Sequence, residues 1–221
     1  MARSFTAASS MYLSVSAGLT YPVTLVAWSY ITSIASQRHV LQTTDTTGNN
    51  AHGLSVNSSG NVLSESNAGS SAAATSSTAL SANSWNHIAG VFASATSRAA
   101  YLNGAGKSTN ATSLTPSSIS LVYVGVFRAG SSNFNLMQGR IAEAAIWSAA
   151  LTDDEILALA RGVNPRQMRP DTLWGYWPLW GIDSPERDMS GNARHATLVN
   201  SPTQADHAPV PLWRPKFMAA A

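Results

Sequence analysis

The chain of 221 residues has no cysteine, few charged residues (11%) and no long uninterrupted apolar run. Without cysteine it can form neither disulfides nor a thiolate zinc site, and it has no cysteine nucleophile. No apolar run reaches about 18 residues, so no membrane span is predicted, and the first residues lack the layout of a secretory signal. The net charge is only +2 and arginines are scattered singly, so we expect no nucleic-acid partner.

Apolar residues make up 44% of the chain and fall in short segments separated by small and polar residues. Strands are predicted at 22–31, 38–43, 53–56, 85–92, 98–103, 120–127, 139–147, 173–179 and 195–199. Polar loops are predicted at 44–52 and 128–135, and a hairpin turn at Asn103-Gly104. Residues 64–84 are almost all Ser, Ala, Thr, Gly and Asn, which fits either flexible chain or two strands. The spacing of the strands is typical of an antiparallel β-sandwich.

One short helix is predicted after Thr152. The sequence TDDE at 152–155 fits a capping box, in which the Thr152 side chain and the Glu155 side chain satisfy each other's backbone amides. Gly162 and Pro165 end the helical pattern. So short a helix is not stable alone, and we expect it to dock on the sandwich.

Three segments have recognisable sequence patterns. They are SWNHIAGVF (84–92) with YLNG (101–104), GRIAEAAIW (139–147) with ALT (150–152), and GYWPL (175–179) with DMSGN (188–192). Together they resemble the laminin-G-like branch of the concanavalin A-like family, a resemblance that covers most of residues 5–200. It implies an all-β jelly-roll β-sandwich of two antiparallel sheets with one short helix.

The order of these segments departs from that family. The third segment usually opens such domains, but here it follows the other two, as in a circular permutation. We therefore predict a single domain at 1–208, with its closing strand within 172–200, and an extended C-terminal tail at 209–221.

The sequence predicts no catalytic residues. Glucanases of the resembled family have a Glu-x-Asp-x-Glu motif on one strand, which is absent here, and Glu143 stands between two alanines. Helix capping explains the acidic residues at 153–155. There is no G-x-S-x-G motif, and His87, on a predicted strand, is interpreted as a structural histidine. We therefore expect a protein that is not an enzyme.

No cofactor is predicted either. The five histidines have no metal-binding spacing. Many members of the resembled family bind calcium, for which Asp183 and Asp188, or Asp45 with nearby asparagines, are the weak candidates here. The alternative is that Asp188 hydrogen-bonds its own turn. With only 11 acidic residues in the chain, we favour that alternative.

Aromatic and loop residues supply the candidates for ligand binding. Trp28, Trp85, Trp147 and Trp177 fall within predicted strands and match core or inter-sheet positions of the resembled family. Trp174 and Trp180 are predicted on the strand face opposite Trp177, where one of them could be exposed. The weak candidates for sugar binding are Arg128, Asn133, Phe134, Trp174 and Trp180.

Two functions fit the sequence. The first is a bacteriophage virion component, a head-decoration or fibre-type protein made in the host cytoplasm, which docks on a virion shell and forms a homo-oligomer. Three features support this function: the low charge, the lack of a secretory signal, and the excess of Arg over Lys. The count of eleven Arg against two Lys indicates a GC-rich genome. Trp213, Arg214 and Phe217 of the tail are its predicted docking residues. The alternative is a carbohydrate-binding, lectin-like module whose partners are glycans.

Overall fold

The computed structural model describes residues 1–16 and 18–210, which are mostly β-strand. The strands are β1 (Ala2–Phe5), β2 (Tyr12–Ser16), β3 (Val23–Ile31), β4 (Arg38–Thr44), β5 (Asn50–Val56), β6 (Asn61–Ala68), β7 (Ser71–Ala79), β8 (Trp85–Ser94), β9 (Ser97–Leu102), β10 (Ala105–Asn110), β11 (Leu121–Val124), β12 (Phe127–Ala129), β13 (Ser132–Phe134), β14 (Gly139–Trp147), β15 (Leu173–Trp177), β16 (Thr197–Val199) and β17 (Thr203–Ala205). The α-helix α1 spans Asp153–Ala160, and 3-10 turns lie at Ala7–Ser9, Pro165–Gln167 and Pro170–Thr172.

The strands form two large antiparallel sheets and one small hairpin. The eight-stranded sheet has the order β10-β9-β8-β3-β14-β1-β17, with β15 also paired to β14. The seven-stranded sheet has the order β16-β2-β11-β4-β5-β6-β7, and β12 pairs only with β13. The predicted antiparallel sandwich with one α-helix is confirmed.

The main core lies between the two large sheets. Alternation along each strand sends one set of side chains inward, as with Leu54 and Val56 of β5, while Gly53 and Ser55 point outward. Among the fully buried apolar side chains of this core cluster, Trp177, Phe5 and Phe92 are the largest. We call the side of each sheet that faces away from this core its outward face.

Two stretches without a clear sequence signal form hairpins. Residues 64–84, which the composition left undecided, include most of β6 and all of β7, joined through Gly69 at a φ of 75°. The segment 128–135, predicted as a loop, contains all of the hairpin β12–β13 except Phe127, its first residue. This hairpin escaped prediction because only one apolar pair, Phe127 and Phe134, faces across it. The turn at Asn103-Gly104 is confirmed, with φ values of 53° and 73°.

Helix α1 begins as predicted. The Thr152 hydroxyl accepts from the Glu155 amide at 3.3 Å, and the Glu155 carboxylate accepts from the Thr152 amide at 2.7 Å. Leu151 and Ile156 on either side of the cap are buried together with Trp147 of β14. The helix therefore docks on the outward face of the eight-stranded sheet.

The last described segment lies against both sheets. β15 pairs with β14, and β16 pairs with β2. The buried Arg3 side chain donates to the Glu186 carboxylate at 2.7 Å and links the first strand to this segment. The predicted docking residues Trp213, Arg214 and Phe217 lie outside the described residues, and the division at 208 stays a prediction. Within the described ranges, no helix has the length and apolar character needed to cross a membrane.

Candidate functional site

The outward faces of the two sheets differ in what covers them. On the eight-stranded sheet, helix α1 buries an apolar cluster that includes Trp147, Ile156 and Leu159. On the seven-stranded sheet, the small hairpin β12–β13 is the cover, and it leaves polar side chains of β4 to β6 beside an open pocket. The candidate site is therefore on the outward face of the seven-stranded sheet.

The side chain of Gln42 fastens the hairpin to β4. Its amide oxygen accepts from the Arg128 backbone N–H at 2.7 Å, and its amide nitrogen donates to the Arg128 carbonyl at 3.2 Å. Gly48 packs on the other end of the hairpin, where a Cβ would lie only 2.5 Å from the Ala129 Cα. The loop before β5 and the hairpin therefore approach each other closely.

The predicted sugar candidates Arg128 and Asn133 lie on one face of the hairpin. The Arg128 guanidinium lies over the rings of Tyr12 and Tyr123, 5.3 and 5.5 Å from their centroids. It donates to the Tyr12 hydroxyl, to the Asn133 side chain at 3.2 Å and to the Gly130 carbonyl. Cation–π contacts and hydrogen bonds thus engage Arg128 in holding the hairpin on the sheet.

Phe134, another predicted candidate, lies on the opposite face of the hairpin. It pairs across the strands with Phe127, with ring centroids 6.1 Å apart, and is 49% exposed. Phe127 packs edge-on against His39 at 5.0 Å. The two phenylalanines therefore form an aromatic wall, exposed at Phe134, beside His39.

The pocket next to this wall has a volume of about 200 Å³. We call it the Glu65 pocket, and its defining residues are Gln37, His39, Gly53, Glu65, Asn67 and Phe127. Its floor is formed by β4, β5 and β6, whose neighbouring residues His39, Ser55, Gly53 and Glu65 share the outward face. A bulge between His39 and Leu41 resets the alternation of β4, so that His39 and Gln42 share this face.

Glu65 has one fully engaged carboxylate oxygen and one free oxygen. Its Oε2 accepts from Ser55 Oγ at 2.7 Å, from Gln37 Nε2 at 2.9 Å and from His39 Nε2 at 3.1 Å. No described residue donates to Oε1, and the side chain is 28% exposed. The carboxylate is thus held rigidly by one oxygen and presents the other as an acceptor.

His39 is buried against the backbone of β5. Its side chain is 3% exposed, and a Cβ on Gly53 would lie 2.9 Å from its Cε1 atom. Burial lowers the pKa of His39 to about 3, so the ring is neutral at pH 7. A neutral ring that donates from Nε2 to Glu65 leaves Nδ1 as an acceptor, and Nδ1 has no partner among the described residues.

The electrostatics of the pocket suit a polar ligand that donates hydrogen bonds. Burial raises the pKa of Glu65, although the bonds from Ser55 and Gln37 oppose that shift. Glu65 is the one carboxylate among the described residues that line the pocket. Glu65 Oε1 is thus left over as an acceptor beside an aromatic wall, an arrangement that can bind a hydroxyl group and a ring C–H face. His39 Nδ1 is a second acceptor, buried and without a described partner.

The structure places the two predicted tryptophans away from this pocket. Trp174 is buried in the core cluster beside Trp177, and its Nε1 donates to the Gly18 carbonyl at 3.2 Å. The expectation that Trp174 faces away from Trp177 is wrong, because β15 has a bulge at Trp174 that turns the side chain inward. Trp180 is half-buried, and its backbone amide donates to Glu186 at 3.0 Å.

The aspartates considered for calcium have local partners. The Asp188 carboxylate accepts from the amides of Tyr176, Ser190 and Arg194 and from the Ser190 hydroxyl, at 2.8–3.0 Å. Asp183 lies 3.4 Å from Arg187. Hydrogen bonds to Asn50, Thr47 and Gly48 outweigh burial and lower the pKa of Asp45. No group of three metal-ligating side chains occurs within residues 1–16 and 18–210. These contacts favour the turn interpretation of Asp188.

A second polar cluster lies under the covered face. Glu143, in a β-bulge of β14 with a φ of 52°, accepts from the Tyr176 hydroxyl and lies 2.9 Å from His207 Nε2. Burial and the neighbouring Glu143 raise the pKa of Tyr176. His87, buried as expected, has no ring-nitrogen partner among the described residues, and its adjoining cavity holds only about 10 Å³. That volume suits one water molecule at most.

Comparisons with known proteins agree on the fold. Residues 6–157 match the model of the concanavalin A-like lectin/glucanases superfamily. No curated protein matches the sequence at a significant level. A candidate carbohydrate-binding protein from Bacteroides ovatus superposes with a TM-score of 0.66 and 17% identity, over 89% of this chain and 57% of that one. This chain therefore spans little more than half of that protein's length.

Two further solved structures are modules with sugars bound. The CBM40 module of Ruminococcus gnavus IT-sialidase, bound to α2,3-sialyllactose, has a TM-score of 0.55 and 16% identity, over 64% of this chain and 84% of that one. Domain 4 of AbnA, an extracellular arabinanase of Geobacillus stearothermophilus in complex with arabinotriose, has a TM-score of 0.52 and 17% identity, over 65% and 68%. At such identities the likeness establishes the concanavalin A-like fold.

Proposed function

We propose that this chain, which belongs to the concanavalin A-like lectin/glucanases superfamily, is a carbohydrate-binding module whose site is the Glu65 pocket. The proposal inverts the order of the two hypotheses drawn from the sequence, because the structural neighbours include sugar-binding modules. The solved structures reported above include no virion protein.

The observation that supports the proposal most strongly is the pair of unsatisfied acceptors in the pocket. Neither Glu65 Oε1 nor His39 Nδ1 has a described donor. Only His39 Nδ1 is fully buried, and a buried acceptor without a partner costs about 1–3 kcal/mol. A sugar ring supplies adjacent hydroxyl donors and an apolar C–H face for the aromatic wall, in which Phe127 lines the pocket and Phe134 extends it outward. At about 200 Å³, the pocket is smaller than the ~300–1,000 Å³ of sites for drug-sized ligands, which fits a single sugar unit.

We propose binding without catalysis. Glycoside hydrolysis needs two carboxyl groups about 5–10 Å apart across the scissile bond. Glu65 is the one carboxylate among the described lining residues. A lone carboxylate, fixed by three donors, is suited to orient a hydroxyl group rather than to divide acid and base roles with a partner.

A glycan array, followed by calorimetric titration of the best ligand, tests the proposal. Phe134→Ala should weaken binding about ten-fold or more, because exposed aromatic anchors dominate such interfaces. Ile182→Ala is the matched control, since Ile182 is also an exposed apolar side chain (64%) and belongs neither to the pocket lining nor to the aromatic wall. Equal affinities of the two variants, or no glycan bound by the parent chain, would contradict the proposal.

A virion location stays a prediction from composition, and it is compatible with glycan binding on a particle surface. Docking through residues 209–221 and homo-oligomerisation belong to the same prediction. Quantitative mass spectrometry of density-banded particles from the source culture tests it. A fixed, high ratio to the major shell protein supports a virion component, whereas recovery only in the soluble fraction contradicts it.

A further inference from the structure

We infer that the Glu65 pocket selects uncharged saccharides and rejects those that bear a carboxylate or a sulfate. This inference rests on the proposed function and names the ligand class of the same site.

The pocket has negative charge and lacks a described cation to balance it. Glu65 is the one acidic or basic side chain among its described lining residues apart from the neutral His39. Two like charges in a pocket of about 200 Å³ would lie within a few ångströms of each other. At such a separation, like-charge repulsion near a protein surface amounts to several kcal/mol.

The arginines that flank the pocket are directed elsewhere. Arg38, next to His39 in the sequence, donates to the carbonyls of Ser33 and Leu136, both at 3.1 Å. Arg128 donates on the opposite face of the hairpin, to Tyr12, Asn133 and Gly130. Neither guanidinium lines the pocket. An anionic sugar would therefore meet Glu65 without the paired arginine that carboxylate recognition favours.

The donors around Glu65 cannot be diverted to an anion either. Gln37, Ser55 and His39 Nε2 already donate to Oε2 at 2.7–3.1 Å. On Glu65 and His39 themselves, the atoms left over, Oε1 and Nδ1, are both acceptors. Acceptors bind hydroxyl groups, and they repel the oxygen atoms of a carboxylate or a sulfate.

The test is a titration of matched ligands that differ in charge. The panel pairs lactose with 3′-sialyllactose and neutral oligosaccharides with the corresponding uronic acids and sulfated forms, on a glycan array and by calorimetry. The variant is Glu65→Gln, which keeps the side-chain shape and removes the charge. Asp206→Asn is the control, because it makes the same change at a carboxylate that is 92% exposed and outside the pocket.

We expect the parent chain to bind neutral glycans and to bind their charged counterparts at least ten-fold more weakly. Glu65→Gln should weaken neutral binding roughly 10- to 100-fold, the usual range for a lost hydrogen bond to a charged group. It should also narrow the difference between neutral and anionic ligands, whereas Asp206→Asn should change neither.

The alternative outcomes separate this inference from the function. If the parent chain binds an anionic glycan as well as its neutral counterpart, selectivity for uncharged sugars is overturned and the carbohydrate-binding function stands. The same holds if Glu65→Gln, shown to be folded by its circular dichroism, leaves the selectivity unchanged. If no glycan of either class binds, the proposed function itself is overturned.

Discussion

The two outward faces of the sandwich have different chemistry although both belong to antiparallel sheets. Helix α1 covers the face of the eight-stranded sheet, where Trp147 is fully buried and its Nε1 donates to the Met168 carbonyl at 2.7 Å. The face of the seven-stranded sheet has only a hairpin over it, and Glu65 there keeps a free oxygen. Burial on the first face stabilises the fold, whereas the second face leaves hydrogen-bonding capacity for a ligand.

The hydrogen bonds of three glutamates show the same difference between well-covered and open parts of the molecule. Glu186 divides its two oxygens between Arg3, at 2.7 Å, and the Trp180 amide, at 3.0 Å. Glu143, under the covered face, uses one oxygen for Tyr176 and lies beside His207 with the other. Glu65 differs from both, since three donors converge on a single oxygen.

The largest expected effect is a loss of stability in acid. His39 on the open face, His52 between the sheets and His87 on the covered face all have a pKa lowered to about 3 by burial. Because the unfolded state binds their protons first, their contribution is complete above pH 6.5 and is lost as the pH falls toward 3. Stability should fall by up to about 4 kcal/mol per pH unit below pH 6. Urea unfolding at a series of pH values measures this slope.

Single-histidine variants show how much of the acid loss of stability comes from each face. His87→Leu should remove about one third of the slope while leaving sugar affinity at pH 7 unchanged. His39→Leu should reduce the slope similarly and weaken sugar binding. A stability that stays flat from pH 6.5 to pH 5 would show that the three rings are not held neutral.

The next effect in size is truncation of the covered face. Trp147→Ala should destabilise the fold by about 3–5 kcal/mol, the usual cost of removing a buried large aromatic side chain. Sugar affinity of the remaining folded protein should not change. Phe134→Ala on the open face is the matched aromatic truncation, and it should alter stability by no more than about 0.5 kcal/mol. Chemical denaturation compares the two, and equal losses of stability would break the distinction between the faces.

A smaller effect is expected where His39 rests on Gly53. Gly53→Ala places a Cβ 2.9 Å from His39 Cε1, so the ring must shift. Overpacking of this kind costs about 1–3 kcal/mol, and movement of His39 should also loosen Glu65 and weaken sugar binding. The thermal midpoint and the affinity should therefore fall together. Unchanged affinity with a lowered midpoint would exclude His39 from the site.

The smallest effect concerns the hairpin. Arg128→Lys keeps the charge but removes the planar group that lies over Tyr12 and Tyr123, which should cost about 1 kcal/mol of stability. Because Arg128 positions the hairpin, sugar affinity should fall without a change in the preference among sugars. A changed preference would instead indicate that Arg128 contacts the ligand.

Local features could be predicted from the sequence. The capping box of α1 depends on residues three apart, and the turn at Asn103-Gly104 on two adjacent residues, so both are legible without the fold. Strands such as β3 and β14 could also be predicted, because each is a continuous stretch rich in β-branched and aromatic or apolar residues. The pairing of β6 with β7 could not be predicted, because Ser, Ala and Thr give little alternation of polarity along these strands.

The candidate pocket could not be predicted because its parts are distant in the sequence. His39 and Glu65 lie on β4 and β6, and they meet only because β5 lies between those strands with Gly53 facing outward. No spacing rule connects residues 26 positions apart. Phe134 was proposed from its loop composition, but its pairing with Phe127 depends on a hairpin that the sequence did not indicate.

The most direct test of the account is a chemical-shift titration of the ¹⁵N-labelled chain with the best glycan from the array. We expect the largest shifts at the amides of Gly53, Glu65 and Asn67 and across the hairpin at 127–135. Residues of α1 and those around Glu143 should not move. Shifts confined to the covered face would contradict the claim that the open face of the seven-stranded sheet is the binding surface.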